Sequence, residues 1–313
     1  MSVGDNIKAR RMQLKMSQQD LADAMGYRTR STIAKIESGE NDVSQKKLHR
    51  FAAVLETSAE ELISGKGAET VILSESADES RSKNVVIVLA GGRSGMHQQS
   101  VPNQFVSVQG KPIIVHCMDA YQMHPSIDDI YVVCLKGWEN IVKAYANQYG
   151  ITKLRRLIHA GNSGMESLKN ALDRICGQYD DGDLIFVQEA TRPLVTTETI
   201  SKLLQACVDS DSATICHAMR EYVQFQIIDG KPQYINRDAV MAMQSPEAHR
   251  LSLLKEVFGK VAGRPELLRE SCCTMLLHHL GYPINFVEGS TNNIKIAREE
   301  DIATFGAMVK TER

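Results

Sequence analysis

The residues of this 313-residue chain that first suggest chemistry are Gly91, Gly92, Arg93, Ser94 and Gly95, which follow the apolar run 85–90. A glycine-rich turn after the first strand of an α/β domain lets backbone N–H groups close around phosphate. Alone, that signal is not specific. A second candidate lies near the N-terminus, in SQQDLADAMGYRTRSTIAKIESGEN. Helix starts are expected at Ser17, with Asp20 three positions on, and near residues 29–31, with a turn at Gly26 between them. Two short helices joined by a glycine turn form the arrangement whose second helix enters the DNA major groove. Cysteine and histidine offer less. The seven Cys include no CxxC pair and read as reduced thiols. His116, His159 and His217 lie on or beside apolar runs and read as structural, and His278 and His279 as partners of a helix dipole.

These residues need elements to position them. The length suits two domains, and 43% hydrophobic with 24% charged residues is a globular composition, excluding disordered and collagenous chains. No run approaches the roughly 20 apolar residues of a membrane-spanning helix, and no secretory signal is evident, so a cytoplasmic location and no membrane partner are expected. Residues 1–64 carry helical periodicity through Leu14, Leu21, Ala22, Met25, Ile33, Ile36, Leu48, Phe51 and Leu55. Residues 65–83 read as a linker, with 71–73 as a possible edge strand. From Asn84 to residue 313, the runs VVIVLA, IDDIYVVCL, LRRLIHA, DLIFVQ and DSATICHA alternate with helical stretches at 112–122 and 197–209, which predicts an α/β domain with a mostly parallel sheet. Asp229-Gly230 between two β-rich runs predicts a hairpin arm over 222–237.

The segment 5–63 resembles the Cro and repressor family of bacteriophage DNA-binding domains, through SQQDLA, STIAKIESGE and LHRFAAVLETSAEEL. The loop GYRTRST is one residue longer than that pattern. The resemblance implies DNA contacts from Gln18, Gln19, Arg30, Ser31, Thr32 and Lys35. Side chains at the start of a groove-bound helix reach base edges, while cations hold phosphates. Residues 1–65 hold ten Lys and Arg against nine Asp and Glu, so attraction must come from a local patch and not from net charge. Ile33 and Ile36 share a face and read as core.

Residues 84–310 resemble the cytidylyltransferases that transfer CMP from CTP to methylerythritol phosphate or ribitol phosphate. The resemblance runs through GGRSGM, PNQFVSVQGKPIIVH, AGNSGMESLKNAL, DLIFVQEATRPLV, NRDAVMAMQSPEAH and EGSTNNIKIAREED. It implies a nucleotidyltransferase-type, Rossmann-like fold with a β-arm, and CTP or another cytidine nucleotide as ligand or substrate, with Mg²⁺. By the same resemblance Ala90, Gly91, Gly92, Ser94, Gly95, Gly161, Ser167 and Arg192 would bind the nucleotide. Arg93, Arg237 and Lys295 would act in catalysis, and Glu189 and Asn292 would face a metal. The arm 222–237 would build a homodimer, presenting two helix-turn-helix units to a two-fold operator.

The sequence departs from that family where charge must be met. Gly95 and Asn103 stand where cations are expected, Gly164 where an Arg is, Asn292 where an Asp is, Tyr222 where a Thr is, and Ser271, Cys272 and Cys273 where an acidic run is. Arg192, Arg237, Ser245, Lys295 and Asp301 survive, Asp301 also reading as a helix N-terminal charge. Removing such cations from a phosphoryl-transfer site costs powers of ten in rate. The expectation is therefore a dimeric DNA-binding regulator that takes a cytidine nucleotide or polyol phosphate, with weak or absent catalysis. The alternative is a working CTP-dependent polyol-phosphate cytidylyltransferase carrying a DNA-binding domain. Restoring Lys at position 103 is expected to raise any residual rate if the surrounding geometry is preserved.

Overall fold

The structure, a computed structural model, describes residues 3–14, 16–27, 29–41, 43, 45–55, 57, 62, 81–92, 101–221 and 223–311. Two compact units divide the chain, Met1–Arg81 and Ser82–Arg313, a division at the end of the expected linker. Residues 71–73 and Arg93, Ser94 and Gly95 lie outside the described residues.

The first unit includes α1 (Val3–Gln13), α2 (Gln18–Ala24), α3 (Arg30–Glu37) and α4 (Gln45–Val54). Ser17 starts α2 with a capping box. Its hydroxyl accepts from Asp20 N at 3.1 Å, and the Asp20 carboxylate accepts from Ser17 N at 2.8 Å. Gly26, with φ +71°, turns the chain after α2. Leu21, Ala22, Met25, Ile33, Ile36, Leu48, Phe51 and Leu55 are buried together as expected, joined by Ile7 from α1, while Leu14 is only partly buried. The α1 helix lies so close to α3 that a Cβ on Gly4 would stand 2.2 Å from the Ile36 carbonyl oxygen. A buried ion pair, Arg11 Nε to Glu37 Oε1 at 2.6 Å, ties the same two helices.

The second unit is built on a seven-stranded sheet. Its strands are β1 (Asn84–Ala90), β4 (Asp129–Cys134), β5 (Leu154–His159), β6 (Leu184–Glu189), β7 (Ser212–Ala218), β10 (Met241–Arg250) and β11 (Phe286–Glu288), in the order β11-β7-β10-β6-β1-β4-β5. Two small antiparallel pairs stand apart: β2 (Ser107–Val108) with β3 (Lys111–Pro112), and β8 (Gln224–Ile228) with β9 (Lys231–Ile235). The sheet is parallel except for β10, which runs antiparallel to both β6 and β7.

The sequence reading located five of these strands but not β10 or β11. It placed the helices at 112–122 and 197–209 slightly off their extents, Ile113–Met123 and Thr197–Ala206. Because a strand alternates faces, β1 feeds two cores at once. Val86, Val88 and Ala90 pack with α5 (Ile113–Met123), α6 (Glu139–Tyr149) and α8 (Thr197–Ala206). Val85 and Ile87 pack with α7 (Gly164–Ile175), α9 (Leu251–Val261) and α10 (Cys273–His279). A last helix, α11 (Glu299–Thr311), buries Phe305 with Val108, Ile113 and Ile296. The chain passes from β1 to β4 and β5, then returns to β6 on the other side of β1. The carboxyl ends of strands at such a reversal form the crevice where doubly wound sheets bind ligands.

Candidate functional site

That crevice encloses about 600 Å³ and is lined by the ends of β1, β4, β5 and β6. Ala90, Gly91 and Gly92 form one wall, and the Gln104 amide holds it by donating to Ala90 O at 2.7 Å and Gly92 O at 3.0 Å. Gly91 is required by packing, because a Cβ there would lie 2.3 Å from the Ala160 Cβ. The opposite wall is the start of α7. Ser163 caps it by accepting from Glu166 N at 3.0 Å. Ser167 Oγ accepts from Gly161 N at 3.0 Å and donates to Ser163 O at 2.7 Å, so Ser167 shapes the loop with both sides of its hydroxyl. Gly161 is confined as well, since a Cβ would stand 2.5 Å from that of Glu166. Backbone N–H groups at a helix start opposite a glycine turn suit phosphate groups. Five expected nucleotide-binding residues, Ala90, Gly91, Gly92, Gly161 and Ser167, therefore line one crevice.

Glu189, at the end of β6, joins this crevice to a second pocket of about 220 Å³; Leu89, Ser271 and Lys295 also line both. Its backbone N–H donates to Ser245 Oγ at 3.1 Å. The carboxylate accepts from Arg192 Nε at 2.8 Å and pairs with the Lys295 ammonium. Burial opposes its charge, but Lys295 and Arg192 outweigh burial and hold the carboxyl below its usual pKa. Arg192 also donates to Asn293 O at 2.9 Å. It lines the second pocket and not the crevice.

Other expected positions fall elsewhere. Arg237 is exposed at the base of the hairpin, donates to Arg220 O at 3.2 Å and lines neither pocket. Asp301 caps α11, accepting from Ala297 N at 2.9 Å and Arg298 N at 2.7 Å. Asn292 is exposed, lines neither pocket and receives no side-chain partner from Glu189, which is already held by two cations. Among the described residues no three His, Cys, Asp or Glu side chains are placed to hold a metal ion. Glu189, the expected metal-facing carboxylate in the crevice, is already held by Arg192 and Lys295, so the described side chains do not by themselves fit a Mg²⁺ site.

Reasoning from sequence passed over Gln104, Ser163, Lys136 and Glu247, all of which line one pocket or the other. Gln104 adjoins Asn103 in the sequence, and Ser163 has the N-cap spacing to Glu166 that marks a helix start.

In the first unit, Arg30, Ser31 and Lys35 are exposed on α3, and Thr32 is half-buried. Gln18 donates to Glu37 Oε2 at 2.8 Å, against the buried Arg11–Glu37 pair. Gln19 is exposed and donates to Asp23 Oδ1 at 2.8 Å. Gln18 thus braces Glu37 while staying half-exposed.

Residues 7–62 match a helix-turn-helix family, and residues 84–311 match the 2-C-methyl-D-erythritol 4-phosphate cytidylyltransferase family. The ribitol-5-phosphate cytidylyltransferase of Lacticaseibacillus paracasei is 27% identical over 226 residues, covering 72% of this chain and 97% of the relative. The 2-C-methyl-D-erythritol 4-phosphate cytidylyltransferase of Clostridium botulinum is 26% identical over 224 residues, covering 71% and 95%. Among solved structures, the 4-diphosphocytidyl-2C-methyl-D-erythritol synthase of Anaerococcus prevotii superposes with a TM-score of 0.63 at 21% identity, covering 73% of this chain and 99% of its own, a likeness of fold. With a glycine-lined crevice at the strand reversal and this family matched over nearly the whole second unit, the chain belongs to the 2-C-methyl-D-erythritol 4-phosphate cytidylyltransferase family and carries a helix-turn-helix unit ahead of that domain.

Proposed function

We propose that the protein is a DNA-binding regulator whose second unit binds a cytidine nucleotide and transfers its nucleotidyl group slowly or not at all. The observation that carries this reading is the state of the cations. Among the described residues the crevice is lined by Lys136 and Lys295, and Lys295 is already paired with Glu189. Asn103, where the resemblance expects a transition-state Lys, is fully buried and lines neither pocket. Groups that meet charge developing in the transition state govern rate more than ground-state binding, so the backbone cradle can hold CTP while turnover is lost.

The hairpin supports a dimer. Its register pairs Phe225 with Tyr234 and Ile227 with Pro232, so these four side chains share one face. Phe225, Ile227 and Tyr234 are exposed. A lone two-stranded hairpin is marginal in water, and a second copy would cover this face. Two copies would offer two α3 helices to a two-fold operator, with Arg30, Ser31, Thr32 and Lys35 toward DNA. A cytoplasmic setting agrees with such a role, and no helix among the described residues is long and apolar enough to cross a membrane.

The second reading, an active polyol-phosphate cytidylyltransferase, draws on Gly91, Gly92 and Gly161 of the crevice and on Arg192 and Lys295, which both line the second pocket. Titration with CTP, followed by pyrophosphate release with ribitol 5-phosphate and methylerythritol 4-phosphate, separates the two. Binding with negligible release supports the regulator; turnover at an ordinary enzymatic rate supports the enzyme.

A further inference from the structure

The second pocket carries a carboxylate that the nucleotide reading does not use. Glu247, on β10, is 3% exposed and lines that pocket together with Glu189, Arg192 and Lys295. It stands opposite Val187 in the β10–β6 register, two residues deeper along the sheet than Glu189. Strand residues two apart share a face and lie about 7 Å from one another. The pocket therefore has one level where two cations, Lys295 and Arg192, share the single carboxylate of Glu189 and keep a net positive charge, and an acidic level below it.

The environment of Glu247 is short of positive charge. Its Oε2 accepts from Thr274 N and Thr274 Oγ1, both at 2.6 Å, which fixes the carboxylate from α10. His249 Nε2 stands 3.5 Å away, yet both ring nitrogens of this fully buried His lack a hydrogen-bond partner. Among the described residues no Lys or Arg is paired with Glu247. Leu89, Met165, Val187, Met243 and Met275 form the apolar part of the wall. A buried carboxylate in such surroundings is costly unless a cation faces it, and flexible thioethers pack readily around alkyl groups.

We infer that this pocket selects a short aminoalkyl phosphate, whose phosphate meets Lys295 and Arg192 and whose ammonium meets Glu247. The volume of about 220 Å³ suits a small ligand of this kind. A polyol phosphate would offer Glu247 hydroxyl groups alone and bring no cation to it. The inference rests on the neighbouring crevice being the nucleotide site, because that reading places the ligand phosphate at the shared residue Lys295, with Arg192 beside it.

Calorimetric titration of the full chain tests it, with CTP first and then O-phosphoethanolamine, ribitol 5-phosphate and glycerol 3-phosphate, each with and without CTP. A charge-assisted contact predicts that O-phosphoethanolamine binds about tenfold or more tightly than the other two. Glu247→Gln should abolish that preference. Equal or tighter binding of ribitol 5-phosphate, no binding of O-phosphoethanolamine, or an unchanged preference in Glu247→Gln would overturn the inference. Should the variant fail to fold, phosphocholine against its neutral isostere 3,3-dimethylbutyl phosphate on the unaltered protein decides the matter, equal affinity being the contrary result. Absence of CTP binding would instead defeat the nucleotide reading, and the ranking of the phosphates would still judge the pocket.

Discussion

Asn103 donates from Nδ2 to the carbonyl oxygen of Ala297 at 3.2 Å, fastening the short helical turn 103–105 ahead of β2 to the irregular segment that carries Lys295. A weaker contact reaches Ile296 O at 3.4 Å, and the Asn103 Oδ1 is buried without a partner. The position expected to hold a transition-state cation is thus an internal tie. A Lys here would give up both contacts, so the exchange does not preserve the surrounding geometry on which a raised rate depends. Asn103→Lys should lower stability by about 1–3 kcal/mol through the lost amide contacts and a buried ammonium, without raising pyrophosphate release. Thermal unfolding and the release assay check both parts.

Glu189→Gln removes the partner of two cations. Anion affinity at the junction should rise, measured by titration with inorganic pyrophosphate. The pH dependence also has a definite sign. The folded-state pKa of Glu189 is lowered, so its stabilising contribution is present above the ordinary Glu value of about 4.3 and is lost as pH falls through the lower folded value. The difference in Tm between the natural protein and Glu189→Gln should therefore shrink as pH drops below about 4.3. A constant difference would argue against the pairing.

Much of this architecture is legible in the sequence. VVIVLA announces β1 as a doubly buried strand, Ser17 with Asp20 announces α2, and Asp229-Gly230, both at positive φ, announces the hairpin turn. The β10 strand is not legible, because Gln244-Ser245-Pro246 interrupts its apolar pattern and Pro removes a ladder donor. Its place between β6 and β7 comes from long-range pairing. The burial of Glu247 follows from that same pairing and has no local signature. Likewise Asn103 can be found by position, but its orientation is set by residues 296 and 297, nearly two hundred positions away.

Arg11 and Glu37 brace the first unit from inside. Arg11→Met leaves Glu37 buried with the neutral Gln18 amide as its partner among the described residues, and about 3–5 kcal/mol should be lost. Chemical denaturation followed by circular dichroism measures this, and a loss near zero would contradict the buried-pair account.

Arg30 and Lys35 act from outside. Replacing both with Ala should weaken DNA binding, by about 1–3 kcal/mol for each side chain that contacts a base, with little change in stability, since both are exposed. Gel shifts on DNA fragments enriched by selection provide the readout, and unchanged binding would remove α3 from the interface.

Phe225→Asp with Tyr234→Asp places charge on the apolar face of the hairpin and should convert a dimer to a monomer. Light scattering at micromolar concentration reports the change. A full-length protein that is already monomeric would leave this face without its proposed partner.

The central claim is nucleotide binding separated from transfer. It is tested most directly by measuring CTP affinity and pyrophosphate release on one preparation of the full chain, with ribitol 5-phosphate and methylerythritol 4-phosphate in turn. The account predicts saturable CTP binding with turnover far below about 1 per second, a rate at the low end for ordinary enzymes. Release at or above that rate with either acceptor would contradict it.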